Sequence, residues 1–203
     1  MPSQTPVVEL RVFLRRLPLA LVGAVIVWAL ATPAYSRMLC TSAQFLARLF
    51  EVPPASAVVA QGRDALLGRT DMRADSGWLK YPLTQIHFNL VPFLALVLAL
   101  PHPLVGGGWR RLLLALAILA ASHALSLLWQ LKCLEAFSMG PWSRANYSDV
   151  ARNVYGTLRY FFDIPVTFAL PLLLWVGSCP QKVFALVGLE HASPGLARRR
   201  AHP

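Results

Sequence analysis

Two groups of polar side chains stand inside otherwise apolar sequence and have types suited to chemistry. The first joins Gln85, His87 and Asn89, at the head of "IHFNLVPFLALVLAL", to Arg159 and Asp163, which flank the start of "YFFDIPVTFALPLLLW". An imidazole, a carboxylate and a guanidinium meeting at one membrane face would suit proton transfer on a lipid-linked or peptide substrate. The plainer reading is an ion pair four residues apart with interhelical hydrogen bonds around it. The second group is Ser122, His123, Ser126 and Gln130 in "RLLLALAILAASHALSLLWQL". Ser122, Ser126 and Gln130 share one helix face by their spacing. Such a stripe either hydrogen-bonds neighbouring helices or lines a proton or substrate path. Of the other histidines, His102 falls in a turn and His191 and His202 in the tail.

Nothing else signals a reaction centre. The sequence contains no phosphate-binding glycine loop, no dinucleotide fingerprint and no metalloprotease or serine-hydrolase motif. "GGG" at 106–108 has no strand before it. Cys40, Cys133 and Cys179 show no paired spacing and no neighbouring histidine, so neither a metal nor a cofactor is indicated. Cys40 and Cys133 fall on the same expected side of the membrane. Free or structural thiols, a disulfide and a nucleophile all stay open for them.

The elements that position these groups are membrane spans. Of the 203 residues, 56% are hydrophobic and only 14% charged, against roughly a quarter charged in soluble domains. The charges fall in blocks between apolar runs. Four runs are close to the roughly 20 residues that cross a hydrocarbon core: 17–35, 86–104, 111–131 and 160–178. Trp28, Trp129 and Trp175 lie toward the ends of their runs, where aromatic anchors are favoured. The first run has a rival reading as a signal peptide, with Arg11, Arg15 and Arg16 before it and "ALATPAYS" after it. The net charge of +10 follows from arginines beside spans rather than from a nucleic-acid stripe.

Orientation follows from Arg11, Arg15, Arg16, Arg110, Arg111, Lys182 and Arg198–Arg200, which share one side if there are four spans. The positive-inside rule makes that side the cytoplasm, with both termini. Loops 36–85 and 132–159 are then exported and the tail is 179–203. The expected fold is therefore an all-α polytopic membrane protein in one domain. Its long exported loop carries an amphipathic surface helix in "SRMLCTSAQFLARLFE", ended by Pro53 and Pro54. A small β-hairpin follows, with Val58 and Val59 facing Leu66 and Leu67 across a Gly-Arg-Asp turn. A helix capped by Ser148 occupies "SDVARNVYGTLRY", and the tail beyond Ala192 forms no regular structure.

The order of an anchor span, "FLARLFE", "VVAQGRDALL", "NLVPFLALVLA" (89–99), "WRRLLLALAILAASHALSLLWQLK" and "LPLLLW" (170–175) resembles the small membrane proteins associated with exosortases in Gram-negative bacteria, in particular those accompanying exosortase H. The likeness covers most of the chain in layout more than in motif. It implies an accessory role in surface-protein sorting at the inner membrane, with an exosortase-like membrane partner and no catalytic residues. The exosortases themselves are similar to multi-span cysteine transpeptidases, and Cys40 in "RMLCTSAQ", with Arg159 and His87, departs from that layout. Three functions are compatible with these residues. They are a non-catalytic accessory protein of an export or sorting system, a membrane enzyme using the outer polar cluster, and a subunit of a small oligomeric transporter.

Overall fold

The computed structural model describes residues 6–51, 54–71, 77–104 and 108–188, with side chains described from Leu10 onward. His191, His202 and the tail beyond Ala192 lie outside them. Three helices are long and apolar enough to cross a membrane: Leu10–Leu49, Gly108–Ser138 and Asp149–Ser178.

The first belongs to α1 (Pro6–Leu49), 44 residues and one uninterrupted element, about 66 Å long at the helical rise. The expected division into a span ending at Tyr35 and a separate surface helix does not occur. Pro18 and Pro33 are accommodated inside the helix. The segment after Tyr35 packs one side against a sheet and leaves other apolar residues uncovered. Leu39, Cys40 and Ala43 are buried in one cluster with Val58, Ala65 and Leu67, while Phe45, Leu49 and Phe50 stay exposed.

The expected hairpin is present. β1 (Ser56–Gln61) and β2 (Asp64–Arg69) pair antiparallel, with Val58 opposite Leu67 and Val59 opposite Leu66. Gly62 supplies the positive φ of the turn. A third strand, β3 (Leu79–Pro82), pairs with β2 and completes the order β1-β2-β3. Lone hairpins are marginal, and three strands resting on a helix are not. Gly68 is required for a different reason: a Cβ there would lie 2.8 Å from the Trp78 indole, which covers β2.

The second apolar run is short. α2 (Thr84–His87) and α3 (Leu90–Ala99) are separated at Phe88–Asn89, and helix stops at Ala99 rather than at Leu104. α3 packs between α1, α4 and α7, with Phe93 and Val97 buried against Ala115 and Leu119. α4 (Gly108–Ser138) runs well past Leu131, taking the start of the expected 132–159 loop into helix. A short α5 (Pro141–Asn146) follows. α6 (Asp149–Phe161) starts at the expected cap, with Ser148 Oγ accepting from the Ala151 amide. It continues through a π-helical turn, Phe162–Val166, into α7 (Thr167–Ser178), so cap helix and span form one element. The expected tail begins as α8 (Pro180–Leu186), whose Val183 and Leu186 pack on Phe13.

The long elements alternate in direction, giving the bundle two ends. The sheet, α5 and the start of α6 occupy one. Arg110, Arg111, α8 and the start of α1 occupy the other.

Candidate functional site

Hydrogen-bond partners divide the sequence-predicted polar residues into two sets. In the first, Tyr35 Oη bonds His123 Nδ1 at 2.7 Å, and His123 Nε2 bonds Asn89 Oδ1 at 2.7 Å. Asn89 Nδ2 then donates to the Thr167 carbonyl at 3.1 Å. An amide oxygen only accepts, so His123 carries its hydrogen on Nε2 and receives the tyrosine hydroxyl on Nδ1. The chain of donors thus links α1, α4, the α2–α3 junction and α7. Its last step has a covalent cause. The Thr167 carbonyl would normally accept from residue 171, and Pro171 has no N–H to give; the Asn89 amide takes its place. His87, beside this chain, accepts on Nδ1 from Trp28 Nε1 at 2.9 Å.

In the second set, Gln130 Nε2 donates to Asp163 Oδ1, and Asp163 Oδ2 lies 3.5 Å from Arg159 Nε. Arg159 also reaches Cys133 Sγ at 3.9 Å. Asp163 sits in the π-helical turn, where Pro165 breaks the regular ladder. Gln85 is exposed, and no hydrogen bond joins it to either set. Ser122 returns its hydroxyl to the Leu119 carbonyl of its own helix, and Ser126 is buried. Cys40, Cys133 and Cys179 are buried free thiols. Among the described residues no cluster of metal-ligating side chains forms.

The largest concentration of charge lies at the sheet end, on residues from the charged blocks between the apolar runs. Glu135, near the end of α4, has no solvent exposure. Its Oε1 receives Arg69 Nη1 at 3.3 Å and lies 3.0 Å from Ser56 Oγ, whose single hydrogen is shared with the closer Glu51; its Oε2 receives Lys132 Nζ and Tyr147 Oη, each at 2.8 Å. Glu51, just past α1, accepts the Ala55 and Ser56 amides at 3.0 and 2.8 Å, the Ser56 hydroxyl, and Lys132 Nζ. Arg69, at the end of β2, forks onto Asp71 with bonds of 2.9 and 2.8 Å and stacks over Trp142 at 4.6 Å. One network therefore ties the sheet to α1, α4 and the chain before α6.

The electrostatics follow from this packing. Burial pushes the Glu51 carboxyl up, but hydrogen bonds from Lys132 and Ser56 outweigh it and hold the group at about 2. The Arg69 hydrogen bond lowers Asp71. Burial, then the charge of Glu135, raises the Tyr147 phenol. Burial would lower Arg69, yet bonding to Asp71 and the charges of Glu135, Asp71 and Glu51 raise it. Arg69 and Lys132 face Glu51, Asp71 and Glu135, and a third cation, Arg48, donates to the Ser56 carbonyl beside them at 2.9 Å, so charges of the two signs are equal in number.

Beside the network lies a polar cavity of about 490 Å³, walled by Phe50, Glu51, Arg69, Asp71, Lys132, Trp142, Asn146, Tyr147 and Tyr155. Its charged groups are ligated to one another, and Asp71 is the most open, with 38% of its side chain exposed. The arrangement suits holding a polar group against aromatic rings better than delivering a nucleophile. One sequence signal marked it: Lys132 and Glu135 stand three apart at the end of an apolar run, a costly place for charge unless paired. Compared with families of known proteins, with curated proteins and with solved structures, the chain shows no match.

Proposed function

We propose that this chain is a non-catalytic accessory protein of a bacterial inner membrane, crossing it four times with both termini cytoplasmic. Its sheet end engages a membrane partner, such as an exosortase-like protein, in surface-protein sorting or envelope export. One observation carries this reading. Beyond the spans, α1, the turn after it and α6 expose Phe45, Leu49, Phe50, Val150 and Val154, around a cap whose charges are already satisfied among themselves. Exposed apolar groups rimmed by polar residues mark interaction surfaces. Arg110, Arg111 and Lys182 gather at the opposite end, consistent with that end being cytoplasmic. α3 is short for a span, but its burial within the bundle reduces the lipid it must face.

The test is photo-crosslinking in native membranes from residues 50 and 154, each replaced by a photoreactive amino acid. A single stoichiometric protein adduct, lost when Phe45→Glu and Leu49→Glu are added, is expected. Adducts to lipid alone at both positions would sink the reading.

A second reading, a membrane enzyme at the outer face, is favoured by the polar cavity itself. It requires that Asn146→Ala or Tyr155→Phe abolish an activity while the crosslinks at positions 50 and 154 persist.

A further inference from the structure

A second cavity, of about 430 Å³, lies between α1, α3 and α4. Its size is that of a small-molecule site. Ala31, Ala117 and Ala120 leave the space, and Leu94 and Leu116 line it further toward the end opposite the sheet. Ala31 and Ala117 are exposed, so the slot opens sideways between α1 and α4, onto the surface that meets lipid. No charged residue lines it.

One of the lining residues, His87, nonetheless has a buried polar atom without a partner. The Tyr35 hydroxyl is bonded to His123, Thr32 Oγ1 to the Trp28 carbonyl, and the Trp28 indole to His87. His87 Nε2 is buried and has no hydrogen-bond partner, and His87 as a whole is 0% exposed. An indole nitrogen can only donate, so His87 Nδ1 is an acceptor and the neutral ring bears its hydrogen on Nε2. The orphan is therefore a donor. Leaving a buried donor unbonded is costly, and what would satisfy it is an acceptor at the sheet end of an apolar slot.

We propose that this slot is a binding site for one acyl chain of a glycerophospholipid, with the chain's ester carbonyl accepting from His87 Nε2. An acyl ester has the required shape, a neutral acceptor heading a hydrocarbon chain. A phosphate at His87 is disfavoured because no cation lines the slot to compensate it. This site is independent of any protein partner at the sheet end, being formed by the membrane-embedded parts of α1, α3 and α4.

The experiment uses the full chain in nanodiscs of dioleoyl phosphatidylglycerol doped with a phosphatidylglycerol carrying a diazirine in one acyl chain. Irradiation and peptide mapping should place the major adducts on Trp28–Met38 and Leu90–Leu94, above those on the exposed Leu172–Leu173 face, which report ordinary boundary lipid. Ala117→Leu and Ala31→Leu, which fill the slot without touching the hydrogen bonds, should remove that excess. Unlabelled diester lipid should compete, and its diether analogue, lacking the carbonyl, should compete about fivefold less well, as expected for one hydrogen bond. Equal labelling of slot and boundary faces, adducts unchanged by the alanine replacements, or equal competition by the diether would each overturn the proposal. So would stronger competition by a free fatty acid or an isoprenyl phosphate.

Discussion

At the scale of single residues, the most consequential side chain is Glu135. It is fully buried, holds two cations and a tyrosine hydroxyl, and shares the Ser56 hydroxyl with Glu51. Truncating one partner of a buried ion pair strands the others, at a cost of about 3–5 kcal/mol. Glu135→Ala should therefore lower the unfolding free energy by about that amount, read by denaturant titration in detergent. Lys132→Met combined with Glu135→Leu should recover part of it, because a cation and a carboxylate leave together while Glu51 and Arg69 keep each other as partners. Glu51 makes a pH-dependent contribution. Its carboxyl is held at about 2 in the fold against an ordinary 4.5, so its stabilisation is complete above pH 4.5 and is lost as the pH falls toward 2. Asp71, also lowered, acts with the same sign. The melting temperature should fall through this window, and Glu51→Gln should flatten the fall. A fall of equal depth in the variant would show that another group carries it.

At the scale of elements, proline and asparagine are coupled across two helices. Pro171 frees the Thr167 carbonyl and Asn89 fills it. Asn89→Ala should cost about 1–2 kcal/mol, since it removes two interhelical hydrogen bonds. In a Pro171→Ala background the restored N–H pairs with Thr167, so the same change should cost about half as much. Additive effects would mean that Thr167 finds another partner. In the sheet, Gly68→Ala places a methyl group against the Trp78 ring. It should expel the indole from β2, raising its solvent quenching and lowering the melting temperature by several degrees, while Gly77→Ala, in open space, should change neither. The hairpin was legible because Val58, Val59, Leu66 and Leu67 flank a glycine turn. β3 was not, since four residues ending in Pro82 gain strand geometry only by pairing with β2. The surface helix is continuous with the first span, and its apolar residues divide between the sheet, at Leu39, and the open surface, at Phe45 and Leu49, a division that periodicity alone does not show.

At the scale of the whole molecule, the alternating helices place the sheet and the Arg110–Arg111 corner at opposite ends. The native thiols are buried, so an impermeant maleimide should report introduced cysteines. Arg63→Cys, in the exposed hairpin turn, should label in intact cells or spheroplasts, and Arg110→Cys only after permeabilisation. The reverse pattern would invert the proposed orientation, and labelling of both from one side would exclude alternating crossings. The polar network that joins α1, α3, α4 and α7 also belongs to this scale. Tyr35 and His123 lie 88 positions apart and His123 and Asn89 lie 34 apart, and no local pattern pairs them.

The sequence by itself determined the long apolar helices, the hairpin and the Ser148 cap, because each follows from composition or from spacings of a few residues. It also identified His87, Asn89, His123 and Asp163 as polar groups in apolar surroundings. Only the tertiary structure decided which of them meet. It separated His87 and Asn89 from Arg159 and Asp163, and left an unpartnered donor on His87, a residue that borders an apolar slot. It also gathered Glu51, Arg69, Lys132, Glu135 and Tyr147 into one buried network. Glu51 and Lys132 are 81 positions apart, and charges at that separation pair only because packing α1, the sheet and α4 together removes the water that would otherwise solvate each alone.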